Sequence, residues 1–579
     1  MTGDDRSPVL ADRAPESEVA PDEINQQDRV RPVVHSVSDR DANRPFQSPV
    51  RTPDGCTERW IASLERSAMS LRWLTDTQCM ALLTPTGWER TEGTGLHESM
   101  RQFVLGLIES ERATARAIAD DDERKKAVTA VEAWVSRASD PAWRKKMVDS
   151  IVAMPGVKTT EGEADQSNAV AFRNGVLYFL RPAKTDVPFG DRPMSDFVAF
   201  EPWSSASPLM LNNTGHVWNP DLADERPMRE FVDSILVDAD NSPDSESHRM
   251  MQAIFGRNSA GGRADVMPWL LGNDDPAIRA FLPDGANGAN GKTTLMEILG
   301  HAFGTYSVRI DDSLVVARRG SRVNDETERA RLRGTRVALC DDATTDGAVS
   351  IPDVKQLVDA RKIRGRNLFE RAFDFAPQFV LAISSNERPR LNSFGNAEAR
   401  RFRVLTFRSV FLTPGHFADA QRRAAERGEQ LPAVVKQRDE TVSQALLDNP
   451  MAIWAWLIRG YAMALDGIEQ SASSREVWDE WVADSDHLQQ FVDACLVAKP
   501  GARLRHSSTG GAFIAAGTMF GAYAAWCTAT GLDHPLTAVR LARELPKRRP
   551  PVSAGWVRGS TDGLSVWVGV GIRQDGDSY

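Results

Sequence analysis

Apolar residues recur along this chain with two different periods, and the change of period divides it. The stretch "RWIASLERSAMSLRWL" sets Trp60, Ile61, Leu64, Ala68, Leu71 and Leu74 at three- and four-residue steps, which predicts one amphipathic helix. The same spacing runs through Phe103, Val104, Leu107 and Ile108, then Val128, Val131, Trp134 and Val135. Residues 56–250 are therefore expected to form a mainly helical amino-terminal domain. Within it, "AVAFRNGVLYFL" changes to two apolar runs around Asn174-Gly175, a β-hairpin signal near 169–180. Residues 1–55 are rich in Asp, Arg, Pro and Ser with few large apolar side chains, and are expected to be a disordered tail.

From Met267 to Phe411, short apolar runs alternate with helical patterns, as in an α/β core, here bounded at 251–412. "MAIWAWLIRGYAMAL" marks a helical connector over 413–473, and a compact unit follows over 474–579. In that unit Ala512–Leu532 is uncharged and long enough to be taken for a membrane span. Its Ala, Gly and Thr gain little by leaving water, so a core helix is expected instead. That helix is expected to be capped at Thr518 and to bury Phe520, Tyr523, Ala524 and Cys527.

Composition narrows the picture. The 41% hydrophobic and 26% charged residues are globular values, and 579 residues call for more than one core. A net charge of −10 excludes a whole-molecule basic field, so any nucleic-acid contact must come from local patches. Five scattered cysteines without a Cys-x-x-Cys pair argue against a disulfide framework or a structural zinc site, and a reducing cytoplasm is expected. "MTGDDRSPVLADR" lacks the apolar core of a signal peptide.

The candidate chemistry lies in "FLPDGANGANGKTTLMEILG". Ala277–Leu282 is expected to be a strand ending at Pro283-Asp284, followed by a glycine loop and a helix with the apolar stripe Leu295, Met296, Ile298, Leu299 and Ala302. Strand, loop and helix is the setting of a P-loop, in which backbone N–H groups converge on phosphate oxygens at the positive end of the helix. The ATP-binding candidates are Ala286, Asn287, Gly288, Ala289, Asn290, Gly291, Lys292, Thr293 and Thr294. Lys292 would reach the β- and γ-phosphates, and the Thr293 hydroxyl would ligate Mg2+. Ala286 stands where the strict pattern has glycine, with Gly285 one place early.

Three further stretches supply partners. In "GTRVALCDDATTDG" the run Val337–Cys340 predicts a buried parallel strand ending in Asp341, a candidate metal ligand, and Asp342, a candidate for polarising water. "QFVLAISSNERP" predicts a strand that delivers Asn386. "NAEARRFRVLTF" brings Arg400 and Arg401, whose guanidinium groups suit the charge of a transferring phosphoryl group.

"GANGKTT", "GTRVALCDD", "FAPQFVLAISSNERP" and "RRFRVLTF", in this order, resemble the motifs of superfamily 3 helicases, a branch of the AAA+ ATPases, and most nearly the phage and plasmid primase–helicase family. "AVAFRNGVLYF" is similar to a hairpin ahead of that core, and "FGAYAAWCTATGL" with "TAVRLARELPKR" to a carboxy-terminal winged helix. The resemblance implies an α/β AAA+ P-loop core with a winged-helix domain over 474–579, and a hexameric ring in which Arg400 or Arg401 serves a neighbour's ATP. It also implies a basic hairpin in the ring channel, and the segment in question holds Lys355, Arg361, Lys362, Arg364, Arg366 and Arg371 around Gly365. Asp359, Ala360 and Arg361 stand where that family has two glycines and an acid.

Lys362, Arg364 and Arg366 are the DNA-binding candidates there, and Arg540, Arg543, Lys547 and Arg548, with Arg549, in the last unit. "GWVRGSTDGLSVWVGV" predicts a two-stranded wing turning near Asp562-Gly563.

The expected function is that of an ATP-dependent DNA helicase, hexameric and 3′ to 5′, in phage or mobile-element replication within a bacterial host's cytoplasm. ATP and Mg2+ are the expected ligands. Single-stranded or forked DNA, other copies of the chain and a separate primase or polymerase are the expected partners, with no membrane. Two alternatives stay open: a bifunctional primase–helicase, and an ATP-switched initiator or loader that grips DNA without unwinding it.

Overall fold

The computed structural model describes residues 50–573 apart from 68, 92, 155, 166–167, 274, 284–288, 318–324, 345–346, 370, 392–398, 499–512, 533–534, 549–556, 562–563 and 569. Most of the tail expected over 1–55 therefore lies outside the described residues.

The first helix, Pro53–Arg66, begins where its sequence says it should. Thr52 Oγ1 accepts the Gly55 N–H at 3.0 Å, and proline occupies the first helical turn. It does not continue to Leu74 as the periodicity suggests. Ser70–Leu74, Cys79–Thr84 and Gly87–Thr91 form an antiparallel meander, closed by Gln78 (φ 54°) and Gly87 (φ 122°) in left-handed conformations. Leu71 and Leu74 are buried by the meander rather than by a helix. The apolar run was short enough to suit either period, and the turn residues decide it. Helices Gly93–Arg116, Asp121–Ala138 and Pro141–Ala153 complete the unit around Trp60, Val104, Ile108, Trp134 and Ile151.

The hairpin around Asn174-Gly175 forms as Ala169–Phe172 against Gly175–Phe179, with Val198–Pro202 as a third strand. A Cβ on Gly175 would stand 2.2 Å from the Glu201 carbonyl oxygen, so that strand approach admits only glycine.

The centre of the molecule is a five-stranded sheet of β1 (Met267–Leu271), β2 (Ser307–Arg309), β3 (Val337–Cys340), β4 (Val380–Ser385) and β5 (Phe402–Thr406). All pairs are parallel, in the order β5-β1-β4-β3-β2. Alternate residues face opposite layers. Leu270, Val337, Leu339, Val380, Ala382 and Leu405 face a layer containing helices Ser245–Ser259, Lys292–Phe303 and Pro450–Ala464. Trp269, Ala338, Cys340, Leu381, Ile383, Phe402 and Val404 face helix Ile351–Val358 and two tryptophans from helix Ala472–Ser485. Burial on both faces explains why β1, β3 and the first four residues of β4 are continuously apolar in sequence, whereas the edge strands β2 and β5 carry Ser307, Arg309, Arg403 and Thr406.

Two expectations change here. The strand that leads to the glycine loop is Met267–Leu271. The run Ala277–Leu282 instead holds a helical turn, Pro276–Arg279, whose start Asp275 caps by accepting the Ala277 N–H. Asp275-Pro276 is a helix-start signal that outweighs the short apolar run behind it.

Helix Ala472–Ser485, grouped by sequence with the last unit, packs on the sheet. The Trp478 ring stacks on Phe402 at 4.8 Å, and Trp481 meets Trp269 edge-on at 4.9 Å. Beyond it, helices His487–Cys495, Ala516–Ala529 and Ala538–Glu544 enclose Phe491, Tyr523 and Cys527 with Trp567. The helix expected to be capped by Thr518 starts at Ala516 after Ala515, with no side-chain cap, and buries Met519, Tyr523 and Cys527, while Phe520 and Ala524 are half-buried. The hairpin Val557–Thr561/Leu564–Val568 closes over the two residues 562–563, which lie outside the described residues. Among the described residues no helix is long and apolar enough to cross a membrane.

Candidate functional site: the C-terminal edge of the sheet

The ends of β1, β3 and β4 gather the polar groups. Asn386 follows β4, Asp341 and Asp342 follow β3, and Gly272 follows β1. Gly291 adopts a left-handed conformation (φ 81°) and turns the chain into the helix Lys292–Phe303. Two bonds fix the approach to that turn: the Phe411 N–H donates to the Ala289 carbonyl at 2.7 Å, and Asn290 Nδ2 donates to the Ser409 carbonyl at 2.9 Å. Asn290 Oδ1 is buried without a hydrogen-bond partner among the described residues, and it faces the space over Gly272. Ala286, Asn287 and Gly288 lie outside the described residues.

Lys292 is 3% exposed, and its Nζ donates to Asn386 Oδ1 at 2.8 Å. Burial lowers its pKa from the usual lysine value to about 8, against the pull of the nearby Asp342 carboxylate, which favours the ammonium. Asp342 itself takes a left-handed backbone (φ 48°), and its N–H donates to Ser384 Oγ at 3.1 Å. Such a conformation is uncommon for a residue with a side chain and here redirects the chain after β3. Lys292, Asp342 and Asn386, from three distant stretches, thus share one cleft. Asp341 is turned to Arg309, the last residue of β2, in an ion pair. Thr293 is exposed in the first turn of the helix, and Thr294 is half-buried.

The two arginines ahead of β5 part company. Arg401 is 4% exposed and ion-paired to Asp359, Nε reaching both carboxylate oxygens at 3.0 and 2.9 Å. Arg400 is exposed.

The basic segment after the acids forms a hairpin, Ile363–Gly365 against Phe373–Phe375. Arg361, Lys362, Arg364, Arg366 and Arg371 are exposed around it, and Arg364 and Arg366 lie 3.7 and 3.3 Å from Glu326. Its loop presents Leu368 and a fully exposed Phe369 in a left-handed conformation (φ 63°). In the last unit Arg540 is exposed, Arg543 and Lys547 both pair with Glu544, and Arg548 pairs with Asp486. Arg549 lies outside the described residues.

Sequence reasoning passed over four residues of these sites. A Cβ on Gly272 would stand 2.6 Å from Lys292 Nζ, so a bare backbone there leaves the lysine its place. Its signal was available, a glycine straight after the apolar run "PWLL". Phe369 had one too, an aromatic among arginines in "RNLFER". Arg309 and Ser384 carry none, since only the parallel register brings them beside the acids.

Residues 284–401 match a family model described as a family of unknown function, DUF5906. Two curated viral proteins are similar over part of the chain. "Putative helicase 022R" of Frog virus 3 (isolate Goorha) is 26% identical over 182 residues, 31% of this chain and 17% of that protein. "Putative helicase L207/L206" of Acanthamoeba polyphaga mimivirus is 28% identical over 173 residues, 30% of this chain and 18% of that protein. The matched stretch thus spans under a fifth of each relative's length. Among solved structures, the apo C-terminal region of NrS-1 aligns with a TM-score of 0.40 at 10% identity, covering 89% of this chain and all of that one.

Proposed function

We propose that this chain is an ATP-driven DNA helicase with an AAA+ core of the superfamily 3 kind, working as a ring on single-stranded or forked DNA in phage or mobile-element replication. The observation that carries the reading is the convergence of Lys292, Asp342 and Asn386 at the C-terminal edge of a parallel sheet ordered β5-β1-β4-β3-β2. In open α/β sheets that edge is where ligands bind. The partial likeness to two viral proteins named as helicases supports the same reading.

Each residue has a task in this scheme. The N–H groups at the start of helix Lys292–Phe303 and the Lys292 ammonium hold the triphosphate, and the buried lysine is held ready by Asn386. The exposed Thr293 hydroxyl and the Asp341 carboxylate are hard oxygen donors of the number Mg2+ takes from a protein when phosphates complete its shell. Bound there, the ion would neutralise charge on the phosphates. Asp342 accepts a proton from the attacking water, and Asn386 orients it. Arg400, exposed at the mouth of β5, is the guanidinium able to reach a neighbouring copy, because Arg401 is committed to Asp359. On the hairpin, Lys362, Arg364 and Arg366 hold backbone phosphates, and Phe369 offers a face on which a base can stack. Arg540 and its neighbours in a winged-helix unit give a second contact.

ATP turnover measured with and without single-stranded DNA, followed by strand separation on a forked duplex, tests the reading. DNA-stimulated turnover with unwinding supports it. Stimulated turnover without unwinding points to a loader, and no turnover removes the proposal.

A further inference from the structure

Asp341 already has a partner. It is the first residue after β3, and Arg309 is the last residue of the neighbouring edge strand β2; their side chains form an ion pair at the C-terminal edge of the sheet. The register makes this a built contact. Arg309 lies opposite Leu339, the Ile310 N–H donates to the Leu339 carbonyl at 2.9 Å, and Arg331 Nη2 donates to the Arg309 carbonyl at 2.7 Å. The arginine backbone is thus held from both sides while its side chain, 47% exposed, reaches across to the acid. A carboxylate that ligates Mg2+ gives its lone pairs to the ion, and a guanidinium on the same group is repelled by the ion's two charges.

We propose that Arg309 is a positioning residue that competes with the metal ion for Asp341, so that metal–nucleotide binding releases Arg309 from the end of β3. This rests on the nucleotide-site reading above and adds regulation to it. Arg309 holds the acid on the β2 side until the ion arrives, and so it sets a threshold of metal concentration for tight nucleotide binding. The released arginine sits on the sheet's edge strand, where its movement signals occupancy of the site.

The test is a binding titration on the full chain, independent of turnover. A fluorescent, non-hydrolysable ATP analogue is held at fixed concentration and MgCl2 is added to wild type, Arg309→Gln and Arg309→Lys. An exposed pair of this kind is worth enough to lower the half-saturating Mg2+ of Arg309→Gln by about two- to fivefold. The Lys variant keeps the competing charge and should stay near wild type. The gap between Gln and wild type should narrow as NaCl is raised, because the pair is screened. An unchanged or higher half-saturation in the Gln variant, or an equal fall in the Lys variant, would overturn the inference while leaving the nucleotide site standing. Wild type that binds the analogue with no dependence on Mg2+ would likewise overturn the inference alone, and wild type that does not bind it would remove both.

Discussion

Lys292 is buried, with its ammonium shared between Asn386 and the field of Asp342, whereas Lys362, Arg364, Arg366 and Arg371 stand in solvent around a hairpin only a few strands away in sequence. Both regions carry cations suited to phosphate, and they hold them in opposite ways. Burying a charge is costly, so a buried lysine persists only where neighbours fix it at one place. That suits a small ligand whose phosphates must lie in one position. Exposed cations cost little and stay mobile, which suits a polymer that is gripped at successive phosphates without regard to sequence. The difference teaches that the two sites should respond to different perturbations: the cleft to geometry and protonation, the hairpin to salt and to loss of stacking surface.

The largest expected effect lies in the cleft. Lys292→Ala should reduce ATP turnover by at least about a hundredfold, as removal of a preorganised phosphate donor does. Its melting temperature should stay close to wild type, because the lost partner, Asn386, is neutral and exposed. Near-normal turnover in that variant would erase the contrast. Next, Phe369→Ala should weaken single-stranded DNA binding by about tenfold, the worth of one base stacked on an aromatic ring, and leave ATP affinity alone. Fluorescence anisotropy with a labelled oligonucleotide reads the first, and nucleotide titration reads the second.

A pH titration sharpens the comparison. With its pKa near 8, Lys292 is an ammonium below that pH and loses its proton above it. Bound phosphates favour the ammonium, so ATP affinity should be level below pH 8 and fall by up to about tenfold per unit above it. DNA binding through the arginines should not follow that curve. The smallest effect belongs to Arg364→Ala, which should cost a few-fold in DNA affinity and flatten the salt dependence by about 0.7 in log–log slope. The Glu326 carboxylate beside Arg364 shares the guanidinium and limits the loss.

Much of the sheet is legible in sequence for a physical reason. Val337–Cys340 and Val380–Ile383 are covered on both faces, and a strand segment that meets no water on either side must be apolar throughout. Polar residues that follow such runs, Asp341, Asp342 and Asn386 among them, emerge at one edge because parallel strands share a direction. Legibility ends where a short apolar run suits two periods. Ser70–Leu74 reads as helix and Ala277–Leu282 as strand by apolar spacing alone, and in each case a neighbouring turn or cap decides otherwise: Gln78 and Gly87 in one, Asp275-Pro276 in the other. Arg309 and Ser384 are invisible for a different reason. Their places beside the acids come from the register between strands remote in sequence, which no local pattern encodes.

Trp478 and Trp481 lean on Phe402 and Trp269, and Trp481 Nε1 donates to the Pro389 carbonyl at 2.6 Å. Helix Ala472–Ser485 is therefore a cover of aromatic rings over the back of the parallel sheet. A chain cut short at residue 473 would leave β1 and β5 with a wet, greasy flank and should precipitate. One carried through Ser485 keeps that flank dry.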